Sequence, residues 1–492
     1  MIYKTEKDEI LDFFTDSSNY KGNCQGVYFP SSEEDIVEIL KECSKTNQQI
    51  TVAGNGTGLN GGRVPDGGVA ISMSQLNKIK EINYDKKFAI VEPGVLLSDF
   101  QDDVESKGLF YPPDPTERNC YLGATVANNS SGAKTFKYGP TRDYVLALRI
   151  VLPDGDILNI NRGETYAYNG KLKLITEANT AIEIDLPNYI MPQTKHAAGY
   201  FCKDEMDAID LFIGSEGTLG IISEIKLKLV NIPEGVLSSI IFFDDEDDAF
   251  NFLFEARDLS RSNSDNQIDA LGLEYFDADS LNYMKDDYPQ IPDNTQGAVW
   301  FEQEITSITE ESILDEWMLL IEKYNGDLET AWIATNEVDR DRFKDFRHAI
   351  SWKITEYITQ KNIRKVGTDT AVPNVSFYNY YKFAKQLVKE AGIKSVCYGH
   401  FGDSHMHLNM LPEDEEQFNN AQQIYSKLML EAVQQKGTIS AEHGIGKLKR
   451  KHLNKMFKDE DITAMAKIKK VLDPELILNS GNIIDSKYFD GI

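Results

Sequence analysis

The sequence predicts an α+β protein of more than one domain, on three observations. The chain has 492 residues, beyond what one core of ordinary size organises. Its first half is a series of short apolar strands punctuated by glycine-rich loops. Its second half alternates strand-like and helix-like stretches, the order of an antiparallel sheet with helices on one face.

Composition narrows the function classes. Apolar residues make up 41% and charged residues 26%, the balance of a soluble globular protein rather than a disordered one. A net charge of −28 argues against nucleic acid and against charge-driven docking on an anionic membrane. The five cysteines are scattered without a CxxC pair, which fits free thiols in a reducing compartment. The first residues, Met1 to Asp8, carry acids and no apolar core, unlike a signal peptide. No apolar run approaches the ~18 residues of a membrane span. A cytoplasmic location is the expectation.

Taken in order, Pro30 to Asp35 opens a helix. Ser31 with Glu34 fits a capping box, and Ile36, Ile39, Leu40 and Cys43 then line one face. The strand Gln49–Ala53 runs into Gly54-Asn55-Gly56-Thr57-Gly58-Leu59-Asn60-Gly61-Gly62. Five glycines in this nine-residue stretch allow backbone N–H groups to surround a pyrophosphate. The GxGxxG spacing is absent and no P-loop ending follows. Strands are predicted at Val69–Met73 and Phe88–Val95. Three prolines then stiffen Tyr111-Pro112-Pro113-Asp114-Pro115. Gly123 to Ala133 is a run of small and amide residues against which a flat ring system can lie. After Lys137-Tyr138-Gly139 come the strand Val145–Val151 and a glycine-punctuated strand-loop-strand over Leu211–Ile222. The segment Glu164–Asp185 reads as a surface elaboration.

Val230 to Gly235 reads as a linker. Beyond it, strands are expected at Ser238–Phe243, Ala270–Tyr275, Ala298–Glu304 and Thr330–Ala334. Helices are expected from the acidic run Asp244–Asp248 through Arg257, at Glu310–Tyr324 and at Arg340–Gln360. The acidic run suits a helix N-terminus, where the dipole favours negative charge. Of seven histidines in the chain, His400, His405 and His407 fall in Gly399-His400-Phe401-Gly402-Asp403-Ser404-His405-Met406-His407-Leu408-Asn409. His443 falls in Glu442-His443-Gly444-Ile445-Gly446. Imidazole and carboxylate together make a ligand set for a divalent metal. On a strand, His400 and His407 have opposite parity, so a turn at Gly402-Asp403-Ser404 is needed to converge them. His405 and His407 share parity.

The glycine loop at Gly54–Gly58, the proline stretch, Lys137-Tyr138-Gly139 and Gly214-Ser215-Glu216-Gly217-Thr218-Leu219-Gly220 occur in an order that resembles the FAD-binding domain of vanillyl-alcohol oxidase/p-cresol methylhydroxylase flavoproteins. The histidine stretches and Leu472-Asp473-Pro474-Glu475-Leu476-Ile477-Leu478-Asn479 resemble the C-terminal domain of FAD-linked oxidases. Within that family the chain is most similar to the metal-dependent D-lactate, glycolate and D-2-hydroxyglutarate dehydrogenases. The resemblance implies a two-part FAD-binding domain over 22–232 and an antiparallel-sheet substrate (cap) domain over 235–485 with a helical C-terminal region. It implies FAD held by Gly54, Asn55, Gly56, Thr57, Gly58, Leu59, Asn60, Pro113, Gly123, Ala124, Thr125, Asn128, Asn129, Gly132, Tyr138, Gly139, Glu216, Gly217, Gly220, Ile221 and Asn479. The Gly54 loop has no histidine, so non-covalent FAD is expected. A divalent metal, Zn²⁺ or Mn²⁺, is implied at His400, His407 and Glu442. His443 is implied as the base, and Arg347, Ser351 and Asn409 as substrate contacts.

Two positions depart from the family. It usually has Gly-Asn where this chain has Ser404-His405, so His405 stands either as a competing ligand or as a hydrogen-bonding residue. Some 2-hydroxyglutarate enzymes have Lys where this chain has Gly367, which weakens the case for a second substrate carboxylate. The implied reaction oxidises a small D-2-hydroxyacid to the 2-oxoacid. Its electrons pass to a quinone, a cytochrome or an electron-transfer flavoprotein. A quinone acceptor would put the chain at a membrane surface, and a homodimer is an admissible assembly. The alternatives are a 2-hydroxyglutarate or glycolate enzyme, a metal-independent flavin oxidase of the same fold, and a non-catalytic flavin-binding protein. Chelator sensitivity and flavin bleaching by hydroxyacids separate them.

Overall fold

The computed structural model describes residues 1–262, 266–334 and 336–492. It is an α+β structure, and its first half is built on two separate sheets. The first has four strands in the order Ile2–Lys4, Gly26–Phe29, Val69–Ser72, Ile50–Ala53, with Val69–Ser72 parallel to both neighbours. The second has five antiparallel strands in the order Ile79–Asn83, Phe88–Val91, Ile221–Lys228, Val145–Val151, Ile157–Asn161. The helix Glu33–Thr46 buries Ile36, Ile39, Leu40 and Cys43 against Ile50, Val69 and Ile71 of the first sheet. Its cap is Ser32, which accepts from Asp35 N at 3.2 Å, and not Ser31 as the sequence suggested. Ser31 instead bonds the Asp35 carboxylate through its own N and Oγ. The segment 164–185 contributes the hairpin Lys171–Ile175 and Ala181–Asp185.

One expected strand is absent. Leu211 closes a short 3₁₀ turn, Ala208–Leu211, and Phe212 after it is in the helical region at φ −86 and ψ −23, not extended. Arg142 donates to Asp210 O and Ile213 O, each at 2.6 Å, so a guanidinium takes carbonyls that a strand would offer to a neighbour. The strand at Ile221 is present. The expected linker starts as a two-residue strand, Val230–Asn231, paired with Leu109–Phe110.

The second half is dominated by one antiparallel sheet. Its order is Trp332–Ile333, Gly235–Phe243, Gly297–Ile305, Ala270–Asp277, Lys394–Gly399, His405–Leu411, Val366–Gly367, with Thr370–Ala371 also paired to His405–Leu411. Helices cover both faces rather than the one expected. Leu237, Ile241 and Phe243 pack in a core with Phe250 and Trp317, from the helices Glu246–Ser260 and Glu310–Lys323. Ile240 and Phe242 point the other way, into a core with Phe346 and Ile350 of the helix Glu337–Lys361. Ala270–Asp277 is buried along its whole length, the pattern of a strand covered on both sides. That second helix carries Arg347 and Ser351 towards the sheet, four residues apart on one face.

The C-terminal region, after the helix Asp459–Leu472, returns to the first sheet. Asn479 N donates to Ile50 O at 2.8 Å, its Oδ1 accepts from Val52 N at 2.7 Å, and its Nδ2 donates to Glu216 O at 2.8 Å. One buried amide side chain thus ties three segments distant in sequence. Asn479→Ala leaves Val52 N and Glu216 O without these partners, at roughly 1–3 kcal/mol each. A fall in melting temperature of several degrees is expected, read by circular dichroism.

Candidate functional site

A continuous cavity of ≈1500 Å³ runs between the two halves. One end is lined by the loop Gly54 to Asn60, with Gly123, Ala124, Thr125, Asn128, Glu216, Gly217, Gly220, Ile221 and Asn479. The other end is lined by Arg347, Ser351, His400, His407, Asn409, Glu442 and His443. Most residues expected at a cofactor or substrate therefore share one space. Five expected cofactor residues do not line it. Pro113 O accepts from buried Gln101 Nε2. Asn129 ends the helix Leu122–Asn128 at φ +49 and accepts from Arg142 N at 3.0 Å. Gly132 abuts the Asp114 carbonyl and Gly139, at φ +82, abuts the Asp143 carboxylate. Tyr138 bonds Glu304 through its hydroxyl. Each is engaged in local packing.

The glycine loop is braced from behind. Arg63 Nη1 donates to Gly54 O at 2.8 Å and Asn55 Nδ2 to Asn119 O at 2.7 Å. Gly56 turns at φ +84, where an added Cβ would lie 2.9 Å from the Arg63 guanidinium, so this position requires glycine.

At the other end, the expected turn is present. The strand Lys394–Gly399 ends just before His400, a 3₁₀ turn spans Phe401–Asp403, and Ser404 reverses the chain at φ +54. The strand His405–Leu411 then pairs back antiparallel. Ring centroids lie 5.4 Å apart for His400 and His407, 5.3 Å for His400 and His405, and 4.5 Å for His405 and His407. Glu442 comes from the other stretch, with Oε2 3.4 Å from His400 Nε2 and Oε1 3.2 Å from His407 Nε2. Among the described residues, His400, His405, His407 and Glu442 form a group whose ligand atoms lie within 4.8 Å of one another.

The chemistry of this group fits a divalent cation. The donors are imidazole nitrogens and a carboxylate. Behind His400 stands Glu274, with Oε1 2.7 Å from Nδ1, the outer carboxylate that orients a metal-binding imidazole. Burial alone would lower the His400 pKa, but Glu274 and Glu442 lift it to about 9. Glu274 is buried, yet His400 and then Arg347 hold it down at about 2. Despite its burial, Glu442 is held well below the usual carboxylate range by Lys195 and His400. Burial pushes the His407 imidazole down.

Three residues of the site carried no sequence signal. Glu274 also faces Arg347, Oε2 to Nε 3.7 Å, so one carboxylate serves the metal group and the expected substrate cation. Asp369 accepts from Glu442 N at 3.2 Å, His443 N at 3.1 Å, Ser440 Oγ at 2.7 Å and Lys449 Nζ at 2.6 Å. Lys195 Nζ stands 2.8 Å from Glu442 Oε2. Each lies on a segment far from the histidine stretches in sequence.

Residues 232–483 match the family described as FAD linked oxidases, C-terminal domain, and residues 24–161 match an FAD binding domain. The chain belongs to the FAD-linked oxidases. It is 30% identical to a D-lactate dehydrogenase of Anaerostipes hadrus, over 97% of this chain and 93% of that protein. It is also 30% identical to glycolate oxidase subunit GlcD of Bacillus subtilis (strain 168), over 94% and 90% of the two chains. The fold is that of 4-ethylphenol oxidase from Gulosibacter chungangensis, with a TM-score of 0.67 at 18% identity, covering 98% of this chain and 94% of that one. The protein is thus an FAD-linked oxidoreductase of the hydroxyacid dehydrogenase family. Among the described residues, no helix is long and apolar enough to cross a membrane.

Two outcomes follow from the buried carboxylates. Glu274→Gln is expected to weaken metal binding by about 10–100-fold, the usual cost of an outer-shell partner, read by titration with a chromophoric chelator. Glu216, which accepts from Ile445 N at 2.6 Å and Gly446 N at 2.7 Å, is pushed by burial from 4.5 up to about 7. Its stabilising contribution is complete below the lower value and lost as pH rises through the higher one. Glu216→Gln should therefore flatten the fall in melting temperature between pH 4.5 and 7.

Proposed function

We propose that the chain oxidises a small D-2-hydroxyacid of D-lactate size to the 2-oxoacid and passes the electrons to a separate acceptor. FAD would bind non-covalently along the Gly54–Gly58 loop and accept the hydride, while Zn²⁺ or Mn²⁺ at His400, His407 and Glu442 would acidify the hydroxyl. The observation that carries this reading is the single cavity joining the glycine loop to the histidine–glutamate group. The 22–232 segment would serve the flavin and the 235–485 segment the substrate.

The chain's own residues supply the rest. His443 is the base. Its ring is 24% exposed, with Nε2 3.6 Å from Glu442 Oε1 and Nδ1 3.6 Å from Asp369 Oδ2. Asp369 also fixes its backbone amide. An imidazole suits proton transfer near neutral pH. Arg347 grips the substrate carboxylate. Its guanidinium is positioned by Glu274, by Thr116 Oγ1 at 3.3 Å from Nη2 and by the Trp300 ring 5.7 Å away. Ser351 Oγ pairs with Tyr398 OH at 3.0 Å, and Asn409 is buried beside them on the strand His405–Leu411. Gly367 itself offers no cation for a second substrate carboxylate, although Lys365, two residues before it, also lines the cavity.

Anaerobic mixing with D-lactate, L-lactate, glycolate and D-2-hydroxyglutarate tests the proposal. Bleaching of the flavin band near ~450 nm by D-lactate, and not by L-lactate, is expected. His443→Ala should retain FAD and lose bleaching by about 100-fold or more, the range of a general base. Bleaching at the wild-type rate in that variant would remove His443 from the role. Activity that survives a chelator would favour the metal-independent reading.

A further inference from the structure

We infer that His405 is a third imidazole ligand of the metal site, binding through Nδ1, so that three histidines and Glu442 hold the cation. The inference rests on the metal reading above.

His405 is 0% exposed, and neither of its ring nitrogens has a hydrogen-bond partner. A buried imidazole with both nitrogens unmet is costly. Asp369 Oδ1 lies 3.2 Å from Nε2 and can meet that nitrogen, but nothing meets Nδ1. A hydrogen-bonding role for His405 therefore leaves its Nδ1 unexplained.

Nδ1 faces the metal group. It is 4.0 Å from Glu442 Oε2, and His405 offers a ring nitrogen to the set of donors within 4.8 Å of one another. His405 then repeats the design of His400. In each ring one nitrogen faces Glu442, and the other faces a buried carboxylate, Glu274 for His400 and Asp369 for His405. An outer carboxylate of this kind fixes the tautomer and raises ligand basicity. Lys195 competes for Glu442 Oε2 at 2.8 Å, and a bound cation takes its place on that oxygen. A third imidazole shifts the preference away from Mg²⁺ and Mn²⁺ and towards Zn²⁺ and Co²⁺.

The test uses FAD-loaded protein and the metals alone. Zn²⁺ affinity is measured by chelator competition, and the visible spectrum of the Co²⁺ form is recorded. His405→Asn is expected to weaken Zn²⁺ by more than the about 10–100-fold cost of losing an outer-shell partner, and to shift the Co²⁺ bands. X-ray absorption at the zinc edge of the wild-type protein should count three imidazoles, a reading that needs no variant to fold. Two imidazoles, or a His405→Asn variant with unchanged affinity and spectrum while His400→Asn loses the metal, would overturn the inference and leave the metal reading standing. A wild-type protein that binds neither ion would overturn both.

Discussion

The Glu216 carboxylate belongs to a loop of the first half of the chain, at φ +53, and is almost fully buried. It accepts the backbone amides of Ile445 and Gly446. Those amides continue the loop that carries Glu442 and His443. These two short hydrogen bonds to one buried carboxyl group set the loop against the first half of the chain. Gly444, at φ +76, lies so close that an added Cβ would meet Glu216 Oε1 at 2.7 Å. The glycines of Glu-His-Gly-Ile-Gly are therefore steric requirements of a docked loop.

From that docking the rest of the site follows through buried carboxylates. Asp369 receives the amides of Glu442 and His443 and the ammonium of Lys449. Glu274 receives His400 and stands beside Arg347. Clustering like charges in a dry interior is unfavourable, and each acid here is matched by a cation, an imidazole or backbone amides. Lys195 completes the balance at Glu442. The overall charge of −28 thus coexists with a cavity lined by the Arg347 guanidinium and the histidine cluster.

Much of this was legible in the sequence because it is local. The Gly54 loop follows its strand directly, and its turn at Gly56 needs glycine. Three histidines within eight residues announce a cluster, and the required turn at Gly402–Ser404 is present. What stayed hidden depends on tertiary contact. Asp369, Glu274 and Lys195 are ordinary acidic and basic residues until the fold brings them to the histidines. The apolar run Leu211–Ile213 reads as a strand, but Arg142, from a distant segment, captures the carbonyls of Asp210 and Ile213 that bracket it. Ser31 and Ser32 are adjacent serines, and only the backbone decides which one caps the helix. Pro113, Asn129, Gly132, Tyr138 and Gly139 belong to stretches that border the cavity, yet their own contacts turn away from it.

The central claim is that flavin and cation meet in the cavity between the two halves. Anomalous diffraction at the zinc edge, from crystals grown with FAD and Zn²⁺, tests it most directly. One peak is expected about 2.0–2.2 Å from the nitrogens of His400 and His407 and an oxygen of Glu442, with the isoalloxazine ring in the same cavity. Bound flavin with no zinc among these residues, or zinc held only elsewhere on the molecule, would contradict the claim.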